Sequence, residues 1–321
     1  MTDALQVDAA KTVAAVEDYI RRVVAERGAD GVLLGLSGGI DSTLVATLAV
    51  RALGPERVHV IYLYDHLNSP ALARRAERAA AGLGLKLEMR SIEAALRKKG
   101  NYRAFGIRAS TFSDLPNRLF LHVSRLVVGE STFFVTLRDG AGEPLSGGPI
   151  RRWFQKITRE AHASGHAKHQ YRRKVAETEA RRRNLQLIGA GNRSEWLTGY
   201  FTTDGIDDVD VQPIGGLYKT QVRQLAAYLD VPEDVRRQPP SPDGMKGLTD
   251  ERDIGMTYRK IDLVLDHLAG GLSRETIARA GCTETDMALV REMNRLSAWM
   301  RRGTPPYDYA VDGGPGSALR V

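Results

Sequence analysis

The stretch from Gly31 to Thr43 constrains the fold more than any other part of the chain. It reads GVLLGLSGGIDST, in which an apolar run, 32–36, ends in a serine and two glycines before a second apolar segment begins. The run predicts a buried parallel strand, and the segment 41–52 predicts a helix. A strand that turns tightly into a helix aims unpaired backbone N–H groups and the positive end of the helix dipole at one point. Such a point suits a phosphate group.

The residue types in this turn indicate how a phosphate would be held. Gly38 and Gly39 let the backbone approach an anion closely, and the hydroxyls of Ser37 and Ser42 can donate to phosphate oxygens. Asp41 repels a phosphate, so its carboxylate predicts a ligand for Mg²⁺. The turn lacks both the third glycine of the dinucleotide fingerprint and the Gly-Lys-Ser/Thr of the Walker loop. An ordinary joint between a strand and a helix is the alternative.

Strands and helices alternate through much of the chain. Alternation of this kind predicts an α/β fold with a doubly wound parallel sheet flanked by helices and with ligands at the carboxyl ends of the strands. Further strands are predicted over 58–63, 86–90 and 184–188. Hydrophobic spacing predicts helices over 8–27, 71–83, 170–183, 220–229, 250–267 and 274–301, so the C-terminal part is predicted to be helical.

The alternation is lost between residues 99 and 164. We expect one domain spanning 1–321 in which 99–164 is an insertion shaped like a lid, with a disordered loop as the alternative. Within it, 133–137 followed by the turn residues 139–144 predicts a strand of a hairpin. Residues 232–248 are rich in proline and glycine and predict a mobile loop.

Composition narrows the choice of partners. The net charge is +7, and residues 97–183 hold 19 Lys and Arg against 7 Asp and Glu. A basic middle predicts an anionic ligand, and a merely solvated face explains it equally well; nucleic acid is not favoured, because no aromatic residues interleave with the cations. Cys282 is the only cysteine, which excludes an internal disulfide and a thiolate metal cluster. Without a signal-peptide pattern or a long apolar run, we expect a cytoplasmic protein with no membrane partner.

A second group of motifs follows the strand predicted over 184–188. They are GAGNRSE at 189–195, GYFT at 199–202, DVQPI at 210–214 and LYKT at 217–220. Together with SGGIDS at 37–42, they resemble the ammonia-dependent NAD synthetase family of N-type ATP pyrophosphatases. The likeness runs from the first helix to Pro305 and is interrupted by 99–164. Residues 239–241 and 249–251 are similar to the family's mobile loop and the helix start after it.

The resemblance implies an ATP-dependent C–N ligase that releases AMP. In that chemistry a carboxylate attacks the α-phosphorus of ATP, giving an acyl-adenylate and pyrophosphate, and ammonia then forms the amide. The family converts deamido-NAD to NAD. The resemblance therefore implies ATP as co-substrate, Mg²⁺ as cofactor, a small carboxylate and ammonia as partners, a separate glutaminase as a possible nitrogen source, and a homodimer.

The resemblance also assigns roles to residues of this chain. It implies that Asp41 and Glu195 hold Mg²⁺. The residues it implies for catalysis are Asp41, Arg172, Glu195, Lys219 and Arg301. For ATP binding it implies Leu36, Ser37, Gly38, Gly39, Asp41, Ser42, Tyr62, Leu63, Arg172, Ala190, Lys219 and Ser241. For the second substrate it implies the positions His166, Gln170, Glu177, Thr203, Asp210 and Met300.

Departures from the family concentrate on the substrate side. Gln170 stands where the family has arginine, Thr203 where it has lysine, and Met300 where it has histidine. Because polar sites discriminate strongly against ligands that leave them unpaired, lost cations suggest a changed ligand. The alternative is thus the same chemistry on a different carboxylic acid or amine in secondary metabolism. Remoter alternatives are a sulfur-transfer relative and a nucleotide binder without catalysis.

Overall fold

The core of the protein is a parallel sheet. A computed structural model describes residues 4–103, 115–145, 147–239 and 249–301, together with Tyr307 and Tyr309. The sheet in this part of the chain has four strands in the order β3-β2-β1-β4. Their bounds are β1 (Gly31–Gly35), β2 (Val58–Tyr64), β3 (Leu87–Ser91) and β4 (Leu185–Ile188). Leu34 of β1 pairs with Val60 on one side and with Ile188 on the other.

Helices surround this sheet, and loops and turns connect them. A 3₁₀ turn, Pro55–Arg57, precedes β2, and another, Ala298–Met300, follows the last helix. In chain order the α-helices are α1 (Ala9–Glu26), α2 (Ile40–Leu53), α3 (Pro70–Gly82), α4 (Glu93–Lys98), α5 (Leu115–Val128), α6 (Thr132–Gly140), α7 (Pro149–Arg182), α8 (Arg193–Thr198), α9 (Lys219–Tyr228), α10 (Glu233–Arg236), α11 (Asp250–Ile254), α12 (Tyr258–Leu268), α13 (Arg274–Arg279) and α14 (Glu284–Leu296).

The sheet is covered on both faces, as the doubly wound prediction requires. Helices α1, α2, α3 and α9 pack on the face that carries Val32 and Leu34, and α4 and α7 pack on the face that carries Leu33 and Leu187. A strand buried on both sides reads as a continuous apolar run, which explains the sequence of β1. The connections leaving β1 and entering β4 lie on opposite faces, so a crevice opens between the carboxyl ends of these two strands. The predicted fold class is confirmed.

A second core joins the C-terminal helices to helix α6. Phe133, Phe134 and Leu137 of α6 pack in one apolar cluster with Val264 of α12 and Leu296 of α14. The prediction of a strand over 133–137 is therefore wrong. Ser131 caps the helix, since its hydroxyl accepts the N–H of Phe134 at 3.3 Å. A short apolar run cannot distinguish a strand from a buried helix, and here contacts with distant helices decide the outcome.

Other boundaries shift for local reasons. The helix predicted over 250–267 is two helices, because Gly255 has a φ of +92° and ends α11. The helix predicted over 274–301 breaks in the same way at Gly281, where φ is +90°. The helix predicted over 170–183 is the last third of α7, whose first half lies inside the predicted insertion. Of the loop predicted over 232–248, residues 233–236 form α10 and 240–248 lie outside the described residues.

Candidate functional site

The turn between β1 and α2 is braced by its own side chains. Gly38 has a φ of +78°, and a Cβ there would lie 2.6 Å from the carbonyl oxygen of Leu72 in α3, so only glycine fits. The hydroxyl oxygens of Ser37 and Ser42 are 3.0 Å apart, and the Ser42 hydroxyl also accepts the backbone N–H of Ser37 at 3.2 Å. The two hydroxyls predicted to contact a phosphate thus already hold the turn in shape.

The ammonium group of Lys219 connects the first turns of three helices at the crevice. Its Nζ lies 2.6 Å from Oδ2 of Asp41 and 3.0 Å from Oε1 of Glu195, and the Lys219 side chain is only 1% exposed. Asp41, Glu195 and Lys219 each lie in the first turn of their helix, α2, α8 and α9 respectively. Three positive helix ends therefore meet at one place, which favours an anionic ligand.

The side chain of Asn192 holds Asp41 and Glu195 in position, a role that the sequence analysis did not predict. Its Nδ2 donates to Oδ1 of Asp41 at 3.0 Å, while its Oδ1 accepts the backbone N–H of Glu195 at 3.1 Å. Oε2 of Glu195 accepts the backbone N–H of Asn192 at 3.3 Å, which completes a capping box. The spacing Asn-x-x-Glu is a recognised sequence signal for such a box.

The cluster around Lys219 is buried and rich in carboxylates. Burial raises the pKa of Glu195, with Lys219 opposing the rise and Asp41 adding to it. Burial also raises the pKa of Asp250 to about 6, again opposed by Lys219. Burial alone would lower the pKa of Lys219, but Asp41, Glu195 and Asp250 together hold it above its usual value. One lysine therefore balances more than one carboxylate here.

This charge balance fits Mg²⁺. Asp41 and Glu195 offer oxygen ligands at one point, and Mg²⁺ takes one or two carboxylates together with phosphate oxygens. Among the described residues, no group of three or more His, Cys, Asp or Glu side chains is arranged to hold a metal ion without help. The donor set therefore suits a metal that is shared with a bound phosphate.

A cavity of about 770 Å³ opens from this cluster. The carboxyl ends of β1, β2 and β4 bound one end, and helices α6 and α7 bound the other. Such a volume accommodates a ligand of nucleotide size. The predicted site residues that line it are Leu36, Ser37, Gly39, Asp41, Ser42, Tyr62, Leu63, His166, Arg172, Ala190, Glu195 and Met300. Gly38 packs behind the wall on α3, and Lys219 lies behind Asp41 and Glu195.

Four predicted substrate positions do not line the cavity that the described residues form. Glu177 is bonded to Arg173 at 2.7 Å, and Gln170 is exposed, with its Nε2 donating to the carbonyl oxygen of Thr203 at 3.3 Å. Asp210 is exposed. Their roles toward a substrate stay predictions.

Arg301 also lies apart from the cavity wall. Arg301 donates to the carbonyl oxygen of Leu197 at 3.1 Å and to that of Asn294 at 2.8 Å, so it binds the carboxyl ends of α8 and α14. This position suits a cation that stabilises helix ends. Ser241 lies outside the described residues.

A second buried ion pair, also missed from sequence, lies where β2 ends. The side chain of Asp65 is fully buried, and its Oδ1 lies 2.9 Å from Nζ of Lys168. Its Oδ2 accepts the hydroxyl of Tyr102 at 2.9 Å. Arg172 donates to Oδ1 of Asn68 at 3.5 Å, so this predicted catalytic residue belongs to the second cluster. Lys168 and Arg172 are four residues apart on α7 and so share a face of that helix, a signal visible in the sequence.

The basic middle of the chain is extensively paired. Arg182 bonds Glu179 at 2.6 Å, and Arg183 bonds both Glu179 and Glu88. Residues in this region therefore neutralise one another along α7 and across to β3. No helix in the described ranges is both long and apolar enough to span a membrane.

A glycine turn at the switch point of a doubly wound sheet, backed by a buried lysine and carboxylates, is typical of α/β enzymes that bind nucleotides through their phosphates. Comparisons with known proteins show which family of such enzymes this chain belongs to. The NAD synthase family profile matches residues 12–111 and 148–304. The NH(3)-dependent NAD(+) synthetase of Thermotoga neapolitana is 35% identical over 248 residues, 77% of this chain and 80% of that protein. Its counterpart from Hyperthermus butylicus is 33% identical over 313 residues, 97% and 95% of the two chains. The chain belongs to the NAD synthase family.

Solved structures share this fold. NMN synthetase from Francisella tularensis superposes with a TM-score of 0.65 at 23% identity, over 93% of this chain and 98% of that one. The NH3-dependent NAD synthetase from Campylobacter jejuni gives a TM-score of 0.62 at 23% identity, over 92% and 98%. As a member of its family, the chain is an ATP-dependent ligase that forms a C–N bond. The boundaries of the insertion stay a prediction; residues 112–147 lie between the two segments that the family profile matches.

Proposed function

We propose that this protein converts deamido-NAD to NAD, using ATP, ammonia and Mg²⁺. The observation that carries the proposal is the Lys219 ammonium group held between Asp41 and Glu195 beside the glycine turn. Curated relatives about one third identical to this chain are named NH(3)-dependent NAD(+) synthetases. Their name supports the choice of substrate and of nitrogen donor.

ATP binding follows from the shape of the crevice. We infer that the triphosphate lies over the turn at 37–42, where the amino ends of α2, α8 and α9 meet. The adenine ring would rest against Tyr62 and Leu63 at the end of β2, both of which line the cavity. Arg172 also lines the cavity and is a fixed cation for the outer phosphates.

Asp41 and Glu195 would hold Mg²⁺ in this arrangement. When bound, the ion neutralises phosphate charge and orients the phosphates. Asn192 fixes the direction of the Asp41 carboxylate through its 3.0 Å hydrogen bond. Lys219 opposes part of the effect of burial on the pKa of Glu195, and a bound cation would lower that pKa further and favour the carboxylate form.

The chemistry then needs no nucleophile from the protein. A carboxylate oxygen of the substrate attacks the α-phosphorus, the bond to the bridging oxygen breaks, and pyrophosphate leaves with its electron pair. Lys219 stabilises the charge that develops on the phosphates. The nitrogen of ammonia next attacks the activated carbonyl carbon and AMP departs. Cys282, which is buried among the C-terminal helices, takes no part in this scheme.

We further propose that the nitrogen comes from free ammonia or from a separate glutaminase, and that the protein works as a cytoplasmic homodimer. The name of the relatives supports ammonia as donor. The exposed apolar side chains of Leu126, Ile150 and Trp153 on α5 and α7 are a surface that a second copy could cover. Sedimentation analysis of the purified protein tests the assembly.

The proposed reaction predicts matched product formation. Purified protein with ATP, Mg²⁺, ammonium chloride and deamido-NAD should yield NAD, AMP and pyrophosphate in equal amounts, measured by chromatography. Nicotinate mononucleotide, nicotinate and unrelated carboxylic acids serve as parallel substrates. Release of AMP with one of those acids but not with deamido-NAD would contradict the substrate and keep the ligase chemistry. No release of AMP with any acid would contradict both.

A further inference from the structure

Two buried aspartates of the short helix α11 line the cavity beside the Lys219 cluster. Asp250 is 5% exposed and Asp253 is 6% exposed, and both contribute to the cavity wall. Neither makes a hydrogen bond to Lys219, whose ammonium group is shared by Asp41 and Glu195. Arg125 offsets part of the charge of Asp253, and the single charge of Lys219 is shared among Asp250, Asp41 and Glu195, so the charge of Asp250 is only partly balanced.

One carboxylate oxygen of Asp250 has no hydrogen-bond donor among the described residues. Its Oδ2 accepts the hydroxyl of Tyr258 at 3.1 Å. Its Oδ1 is buried and has no hydrogen-bond partner within the described parts of the chain. A buried carboxylate oxygen without a partner carries a large desolvation cost, so it points to a bound group with N–H or O–H donors, or to a cation.

Asp253 and its neighbours complete a small pocket. Oδ1 of Asp253 accepts the hydroxyl of Thr132 at 2.7 Å, and Oδ2 lies 3.5 Å from the hydroxyl of Tyr200. The rings of Tyr200 and Phe133 meet edge to face with centroids 5.0 Å apart, and both residues line the cavity. Carboxylates beside aromatic rings are a suitable environment for a small nitrogen cation, because ring faces attract positive charge.

We propose that Asp250 and Asp253 bind the ammonium ion that supplies the amide nitrogen, an inference that rests on the proposed function. At neutral pH most ammonia in water is ammonium, so a site for the cation raises the local concentration of the nitrogen donor. The ion loses one proton to solvent, its nitrogen forms the C–N bond with the acyl carbon, the bond from that carbon to the oxygen of AMP breaks, and a second proton follows. The tetrahedral ion offers four N–H donors, which suits the open Oδ1 of Asp250.

Asp253→Asn tests the site through the dependence of the rate on ammonium. With ATP and deamido-NAD saturating, we expect KM for ammonium to rise about tenfold or more, since a hydrogen bond to a charged group is lost. KM for ATP should stay within about twofold of the wild-type value. Hydroxylamine, which is uncharged at neutral pH, should serve as nucleophile equally well with both proteins, because it does not need a carboxylate pair.

Two matched variants test whether the effect depends on the position of the charge. Asp266→Asn changes another buried aspartate that also has a partnerless Oδ1 but does not line the cavity formed by the described residues. Asp286→Asn changes an aspartate that is paired with Lys260 at 2.7 Å and also does not line that cavity. Both should leave KM for ammonium within about twofold of wild type. An equal rise in all three variants, or a parallel loss of hydroxylamine use by Asp253→Asn, would overturn the proposal.

A second measurement does not depend on any variant folding. Crystals of the wild-type protein soaked in thallium(I), a heavy monovalent stand-in for ammonium, should show an anomalous peak between Asp250 and Asp253. A peak found only elsewhere, or Mg²⁺ bound to these two carboxylates, would overturn the proposal. Wild-type protein that makes no NAD overturns the proposed function itself. Active wild-type protein with an unchanged KM for ammonium in Asp253→Asn overturns only this inference.

Discussion

The two ends of the cavity are built in different ways. The end at the glycine turn, where we propose that the phosphates bind and which we call the phosphate end, rests on the sheet. Three helices begin there, at the edge formed by β1 and β4, and place Asp41, Glu195 and Lys219 in contact. The opposite end is formed by α6 and by the first half of α7, and its walls include Phe133 and Met300. The first end is fixed by short motifs on rigid elements. The second depends on how residues of the predicted insertion pack against the C-terminal helices.

The difference between the two ends shows which of the site residues implied by the family resemblance are the more informative. Nine of the twelve residues inferred for ATP line the cavity, whereas four of the six inferred for the second substrate do not. The substitutions Gln170 and Thr203, which remove cations from the expected pattern, occur at such outside positions, bonded to one another at 3.3 Å. Because Gln170 and Thr203 lie outside the cavity wall, they are weaker evidence for a changed ligand than the sequence motif alone suggested.

Loss of the central cation should have the largest effect of all. Lys219→Met leaves Asp41 and Glu195 facing each other in a buried site, so we expect kcat to fall about 10²–10³-fold and the free energy of unfolding to fall by about 3–5 kcal/mol. Pyrophosphate release and chemical denaturation measure the two effects. Lys260→Met, which removes a more exposed lysine paired with Asp286 at 2.7 Å, is the matched control. Retained turnover in Lys219→Met would remove the basis for treating the phosphate end as the reaction centre.

The second ion pair should matter for stability more than for chemistry. Lys168→Met leaves Asp65 buried and uncompensated, which we expect to cost about 3 kcal/mol of unfolding free energy. The double variant Lys168→Met with Asp65→Leu should recover most of this loss, because no buried charge remains. Urea denaturation of the single and double variants tests the coupling. If the single variant is as stable as wild type, this cluster does not support the end of β2.

Acidic residues at the boundary between the two ends should make stability depend on pH. Burial raises the pKa of Asp250 to about 6 from an ordinary value near 3.8, so the folded state binds the proton more tightly than the unfolded chain. Its contribution is fully present at low pH and is lost as pH rises through 6. Between pH 5 and pH 7, wild type without ligands should lose about 1–2 kcal/mol more than Asp250→Asn. Equal slopes in denaturation series across that range would contradict this environment for Asp250.

The smallest effect should come from Arg301, and it sharpens the comparison most directly. The structure has this side chain binding the carboxyl ends of α8 and α14, so Arg301→Ala should lower the free energy of unfolding by about 1–2 kcal/mol. If binding these helix ends is the only role of Arg301, kcat of Arg301→Ala should stay within about twofold of wild type. The role implied by the family resemblance predicts instead a large fall in kcat with little change in stability. Thermal denaturation and steady-state kinetics on the same preparation decide between the two.

The sequence predicted the sheet and the phosphate end well, for physical reasons. Continuous apolar runs such as 32–36 identify strands buried on both faces, and glycines at a strand end identify a turn that a backbone must approach closely. The family resemblance then implied that Asp41, Glu195 and Lys219 belong to one site, and their ammonium and carboxylate groups are in contact. Local pattern and topology carry this information together.

The rest depends on contacts between residues far apart in the chain. Lys168 meets Asp65 across 103 positions, and no pattern along the sequence encodes that pair. Helix α6 was mistaken for a strand because its four apolar residues are too few to show a period, and its partners lie on α12 and α14. The hydrogen bond from Thr132 to Asp253 likewise joins the insertion to the C-terminal region over 121 positions.

Helix α7 has a practical consequence for anyone building chimaeras of such ligases. It runs without interruption for 34 residues, about 51 Å, and carries both the far wall of the cavity and the ammonium group of Lys168 that contacts Asp65. A segment that is taken from a relative and joined to this helix must therefore preserve its helical phase, so that residues on both sides of the junction keep their faces. One residue too many before Lys168 would swing every upstream side chain about 100° around the axis and turn His162 out of the cavity.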